Sequence, residues 1–226
     1  MKTRRIFVYG ASGHGKVVAD ILISGGEREF AGFVDDKQQQ GSTVMGFPIV
    51  GSGEWLHREA SNSRVAIALG TGESRCRRSL AALCSHWGIE ILTLIHPAAT
   101  VSRSARLGPG SVVMAGAIIN PEANVGAGVI VNTGAIVEHD VEIGDYAHVA
   151  PNAAMGGASR LGDSSHLGLG AVVLQRVSIG SHTIVGAGAV VVRNLPDHVV
   201  AIGIPARIHR RLEQEGLSAE LAASRT

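Results

Sequence analysis

The groups in this chain best suited to chemistry lie in residues 137–157, VEHDVEIGDYAHVAPNAAMGG: His139 sits between Glu138 and Asp140, and His148 follows nine residues later. Imidazole exchanges protons near neutral pH, and a neighbouring carboxylate can orient its ring. Acid–base chemistry can be built from such a set if the fold holds the rings still. Metal binding is the other use of histidines, and His166 stands eighteen residues after His148. The intervals of nine, eighteen and sixteen from His139 to His182 lack a closely spaced ligand pair, so no metal is expected.

The element that must position these residues is a repeat. Cut every six residues from Val101, the chain gives sixteen hexads ending at Pro196, without an insertion. The first position is always Val, Leu, Ile or Met, and the fifth is Ala, Ser, Thr or Val except at Leu195. A hexad can supply one short strand and one turn, and three hexads make a triangular coil of eighteen residues. Gly108, Gly126, Gly144, Gly162 and Gly180 mark one corner of successive coils, where a Cβ would hinder the backbone. Aliphatic first positions would fill the prism beside small fifth positions, with coils about 4.8 Å apart. His139 and Gly157, eighteen apart, then share a corner on adjacent coils. His148, half a coil from His139, must face another side, so the two histidines can meet in one site only if they come from different subunits.

Residues before 97 alternate strands and helices. RRIFVYG (4–10) enters the helical stretch ASGHGKVVADILIS, whose apolar face would carry Val17, Val18, Ile21 and Leu22; FAGFVDD (30–36) is a second strand, RVAIALGTG (64–72) a third and IEILTLI (89–95) a last. VMGFPIVG reads as a turn or hairpin, EWLHREA and ESRCRRSLAALCSHWG as helices. This order implies a small parallel sheet of nucleotide-fold character. GASGHG is G-x-x-G-x-G, not the dinucleotide fingerprint; it serves either as a tight turn or as an anion cradle of backbone N–H groups and the Ser12 hydroxyl. Asp35 and Asp36 end a strand at the carboxyl edge of the sheet, placed to accept from a ribose or base or simply to form a solvated turn. The expected division is a nucleotide-binding α/β domain over 1–97, a prism over 98–206 and a C-terminal helix and tail over 207–226.

A net charge of +1, with Lys/Arg and Asp/Glu almost balanced, points to no nucleic-acid surface and no polybasic membrane patch, and no apolar run has membrane length. Aromatic content of only 4% fits a core built by stacked aliphatics. Cys76 and Cys84 have no metal-ligand spacing, and with no signal peptide a cytoplasmic location is expected.

YGASGHGKVV, FVDD, AIALG and a hexapeptide tract carrying EHDVEIGDYAHVAPNAAMGG, in that order, resemble the sugar acyltransferase family of PglD and NeuD. The resemblance runs from residue 5 to about 211. It implies a left-handed β-helix, a homotrimer with active sites between subunits, and acetyl transfer from acetyl-CoA to the amine of a nucleotide-linked sugar, most simply a UDP-linked 4-amino-4,6-dideoxy sugar. O-acetylation of sialic acid, or a noncatalytic nucleotide-sugar scaffold, are the alternatives. It also implies that His139 is the general base, with Asp140 in the place of the family's glutamate and Glu138 as the other acid able to orient the ring. His148 would contact the acetyl group, and the Gly157 N–H would face the thioester oxygen. Leu169 and Ala187 would touch acetyl-CoA. Ser12, Gly13, His14, Asp35, Asp36 and Gly70 would line the nucleotide-sugar subsite. Arg207 or Arg210 either meets the phosphates of the coenzyme or lies on a solvated face.

Overall fold

The structure is a computed structural model that describes residues 4–27, 29–59 and 65–213. Its first part is a six-stranded sheet. Strands β1 (Arg5–Tyr9), β2 (Phe30–Val34), β3 (Thr43–Val44), β4 (Phe47–Gly51), β5 (Val65–Leu69) and β6 (Glu90–Ile91) lie in the order β3-β4-β2-β1-β5-β6. All neighbours are parallel except the β3–β4 hairpin, turned by Met45 and Gly46 at positive φ. Helices α1 (Gly13–Ser24), α2 (Gly53–Glu59) and α3 (Ser74–His86) complete the domain. Helix α1 buries Gly15, Val18, Ala19, Ile21 and Leu22, and each of the larger three stabilises the fold by about 1.5–3 kcal/mol. Val17 is exposed, so the apolar face of α1 is rotated from the one its valine pair suggests.

The rest is a parallel β-helix whose two-residue strands stack into three sheets. Ile118 pairs with Ile136, Asn124 with Glu142 and Ile130 with His148, each an interval of eighteen. First-position Val113, Ile119, Val125, Val131, Val137 and Val149 and fifth-position Ala117, Ala135, Ala147 and Ala153 form its buried core. The fourth residue of every hexad from Gly110 to Gly188 has φ between 54° and 74°, so the left-handed turn recurs at each corner. The column of second-position glycines serves a different need, close approach. A Cβ on Gly108 would lie 2.5 Å from the carbonyl carbon of Gly126, and one on Gly162 would lie 2.5 Å from the Ser181 nitrogen.

The three outer faces differ. Leu94, Val112 and Ile130 are buried in one cluster with Val18, Ile21 and Leu22 of α1, which fixes the α/β domain to the base of the prism. A second face carries Arg106, Asn124, Glu142, Arg160 and Ser178, with an Arg160–Glu142 pair at 3.1 Å. The third exposes a column of Ile118, Ile136 and Val172.

Three expectations need correction. IEILTLI is not one strand: Glu90–Ile91 pairs with β5, whereas Leu94–Ile95 pairs with Val112–Val113 as the first prism strand, ahead of a boundary at 98. The final hexad is out of phase, because Leu195 bridges Ile179 and Val200 pairs with Ile184 at an interval of sixteen. The expected C-terminal helix is, over Arg207–Arg211, a strand antiparallel to Val199–Ile202. There the open edge of the last coil offers hydrogen bonds that override helix-forming residues. The remainder of that helix, 214–226, lies outside the described residues.

Candidate active site

His139 occupies the third position of its hexad, at the corner between Ile136–Val137 and Glu142–Ile143. Asp140 follows in the left-handed turn at φ 58°, a conformation that aspartate tolerates better than most residues. That turn swings its carboxylate back to the ring, and Nδ1 of His139 lies 2.7 Å from Oδ2 of Asp140. Glu138 accepts the backbone N–H of His139 at 3.3 Å, so of the two acids it is Asp140 that orients the ring. With Nδ1–H donating to Asp140, the lone pair sits on Nε2. Both side chains are about 60% exposed (62% and 60%), so their pairing adds little stability and acts chiefly on orientation.

Gly157 lies one coil above, and a Cβ built on it would fall 2.5 Å from Nε2 of His139. Only glycine leaves the ring in place. The Gly157 carbonyl accepts from Arg176, while its N–H has no partner among the described residues. This follows from the hexad, whose third-position N–H stands outside the coil-to-coil ladder. The N–H groups of Ala127, Asp145 and Ser181 are capped by Asp145, Asp163 and Asp197. Those of Gly157, Leu169 and Ala187 have no such cap among the described residues. A basic nitrogen and an open N–H donor thus lie beside one another on adjacent coils, and two further open donors line another corner, also on consecutive coils.

His148 is on a different face, in the strand His148–Val149 between Ile130–Val131 and His166–Leu167. Asn132 Oδ1 accepts the Thr133 N–H at 2.8 Å, which turns its Nδ2 toward His148 Nε2, 3.0 Å away. The amide donates there, so the neutral ring carries its proton on Nδ1 and is itself a donor. Burial, then the charges of His166, Arg77 and His14, pushes its pKa down to about 3, and the ring stays neutral at working pH. His166 packs edge-on at 4.7 Å.

His14 is half-buried in the first turn of α1. Its Nε2 is buried without a hydrogen-bond partner among the described residues, and burial together with the Arg77 charge lowers its pKa to about 4. Ser12 and Gly13 are exposed at the start of α1, and the Ser12 side chain makes no capping bond. Gly70 directly follows β5 and lies against β1, where a Cβ would meet Val8 Cγ1 at 2.5 Å and the Gly10 oxygen at 2.7 Å. The sheet order reverses between β1 and β5, so this crevice is the switch point of the α/β domain.

The two acids differ. Asp35 accepts from the N–H groups of Ala11, Lys37 and Gln38 at 2.8, 2.8 and 2.9 Å, which spends most of its acceptor capacity inside the loop. Asp36 accepts from Tyr9 Oη at 2.7 Å and Gly53 N–H at 2.8 Å, one bond per oxygen, and keeps room for more. Burial raises the pKa of Asp35, but its three N–H bonds outweigh that and leave it below the usual carboxylate range. A lowered folded-state pKa gives stability above the unfolded value that is lost as pH falls. Asp35→Asn is therefore expected to melt below wild type at pH 7, with the difference closing below about pH 4. Thermal melts across that range check it, and a difference independent of pH contradicts it.

The PglD N-terminal domain family matches residues 5–82. The acetyltransferase domain of PglB from Neisseria gonorrhoeae is 40% identical, with 91% of this chain and 100% of that one covered at a TM-score of 0.86. This chain belongs to the PglD-like sugar acetyltransferase family. PerB from Caulobacter crescentus, solved with CoA and GDP-perosamine, is also 40% identical, covering 91% and 97% at a TM-score of 0.86. The UDP-N-acetylbacillosamine N-acetyltransferase of Bacillus subtilis is 38% identical over 120 residues, a match spanning about half (52%) of its length. Among the described residues, no helix of this PglD-like chain is long and apolar enough to cross a membrane, and no metal-holding cluster occurs.

Two residues of this PglD-like site escape the sequence reading. Asn132 sits sixteen residues before His148, so it falls on neither the eighteen-residue column nor the hexad's apolar positions. Arg77 was the more legible, since it shares an i, i+3, i+7 stripe with Leu80 and Cys84 and so interrupts the buried face of α3.

Proposed function

We propose that the chain transfers acetyl from acetyl-CoA to the amine of a nucleotide-linked amino sugar, with His139 as general base. The observation that carries this reading is the Asp140–His139–Gly157 arrangement: an oriented Nε2 lone pair beside an open N–H donor. PglB was solved with acetyl-CoA and PerB with GDP-perosamine, and those complexes support the same pair of substrate classes here.

The nucleotide would lie in the switch-point crevice, with phosphates near the Ser12–Gly13 turn and Asp36 offering its remaining acceptor capacity. Pantetheine amides would pair with the open N–H groups of Leu169 and Ala187 as an added strand does. The sugar amine attacks the thioester carbonyl and gives its proton to Nε2 of His139. Gly157 N–H donates to the oxyanion, and the intermediate collapses with loss of CoA thiolate, which is reprotonated from His139. The Nδ1–H of His148 supplies a second donor near the acetyl group. No enzyme nucleophile takes part.

His139 and His148 lie on different faces of one prism, so their cooperation requires a neighbouring copy. The exposed Ile118, Ile136 and Val172 column supports a homotrimer as that assembly. An acetyl-CoA consumption assay with UDP-, GDP- and dTDP-linked 4-amino sugars, and with sialic acid, tests the proposal. Turnover of at least one amino sugar nucleotide is expected; turnover of sialic acid alone would overturn it.

A further inference from the structure

Among the described residues Arg77 is the only charged side chain that is fully buried, with 1% exposure, and it has no ion pair there. Among the described residues its guanidinium donates only to carbonyl groups. Nη1 donates to Gly72 O at 2.5 Å, Nε to Gly128 O at 2.8 Å, and Nη2 to Tyr146 O at 2.5 Å and Ala147 O at 3.3 Å. Gly72 belongs to the loop after β5, one wall of the switch-point crevice. Gly128 and Tyr146 are turn residues eighteen apart on adjacent coils, and Tyr146–Ala147 leads directly into His148. The next residue, Arg78, grips the same turn from outside, its guanidinium 4.8 Å from the Tyr146 ring centre and its Nη2 3.1 Å from Ser164 Oγ.

We propose that Arg77 is a positioning residue for the transfer reaction: its guanidinium joins the nucleotide-side loop at Gly72 to the turn that presents His148, holding the two halves of the site at a fixed separation. This rests on the acetyl-transfer reading above. A planar fork with donors in three directions suits the task, because the carbonyls it joins come from three separate segments. Packing alone does not require a cation here, and an apolar side chain beside Leu80 and Cys84 would fill the space without desolvating a charge. The groups facing the guanidinium agree with this role. Besides the four carbonyls, His14, His148 and His166 all lie within its field, and all three are shifted toward the neutral form, by burial first and with Arg77 contributing. The cation therefore helps keep His148 a hydrogen-bond donor of one tautomer rather than a second positive charge beside the thioester.

The test is steady-state kinetics of the full-length wild type, Arg77→Gln and Arg77→Lys with an amino sugar nucleotide and acetyl-CoA, alongside thermal melts. Wild-type turnover is read first, and its absence counts against the acetyl-transfer reading, independently of Arg77. With wild type active, Arg77→Gln is expected to lower kcat about tenfold or more and to raise KM for the sugar nucleotide, with KM for acetyl-CoA changed by less than about twofold. Arg77→Lys restores part of the loss, since one ammonium cannot hold all three segments. A folded Arg77→Gln that melts earlier but keeps wild-type kcat and KM values shows a purely structural strut and overturns the proposal. If Arg77→Gln does not fold, Arg77→Lys decides on the same constants: reduced kcat with the same KM split supports positioning, and wild-type values overturn it.

Discussion

His139→Ala is expected to lower kcat by about 10²–10⁴-fold while leaving acetyl-CoA binding and assembly intact. A general base contributes that range, and the geometry gives His139 no other duty. Its side chain is 62% exposed, so truncation opens no core cavity. Its backbone N–H and C=O keep their bonds to Glu138 and Ala158 whatever the side chain. The loss should therefore fall on kcat, with nearly unchanged melting temperature and KM for acetyl-CoA. Asp140→Asn, which keeps the shape but removes the acceptor charge toward Nδ1–H, should show a smaller loss of the same kind. Kinetics and melts on the purified variants check both, and near-normal turnover in His139→Ala contradicts the assignment.

Gly157→Ala should cost about 10²-fold in kcat from a single added methyl group. The residue keeps its N–H, so the oxyanion donor survives; what changes is the space over the base. With a new Cβ only 2.5 Å from Nε2, the imidazole must swing away from the direction in which Asp140 holds it. The ring is at the surface and can move, so stability should change little. Loss of kcat with an unchanged melting temperature is the expected signature. Equal activity in Gly157→Ala would mean that the ring does not work from the position it occupies here.

The prism was the most legible part of the fold, because its period is written in every hexad and burial enforces the register. Its irregularities were not, for local reasons. Leu195 breaks the small-residue rule at the fifth position, but residue type alone does not show that the last coil closes two residues early and brings it beside Ile179. Arg207–Arg211 carries helix-forming residues, but the unpaired edge of Val199–Ile202 recruits it as a strand. At the site, the interval of eighteen between His139 and Gly157 was enough to stack them. The choice between Glu138 and Asp140 depended on a backbone angle that residue types alone do not set. The acids after β2 were harder still. Asp35 is engaged by an N–H 24 residues earlier and Asp36 by one 17 residues later, contacts that exist only once the sheet edge is built. Asn132 and Arg77 likewise acquire their meaning from segments that meet only in the folded chain.

The central claim is that one site takes His139 from one subunit and His148 from another. It is tested most directly by mixing His139→Ala and His148→Ala subunits, unfolding and reassembling them together, and measuring acetyl transfer. Each variant alone is expected to be nearly inactive. In a trimer containing both, one of three sites is intact, and random mixing makes three trimers in four mixed, so about a quarter of wild-type activity should return. No recovery from verified mixed trimers would contradict the account, because it would mean that each site draws both histidines from a single chain.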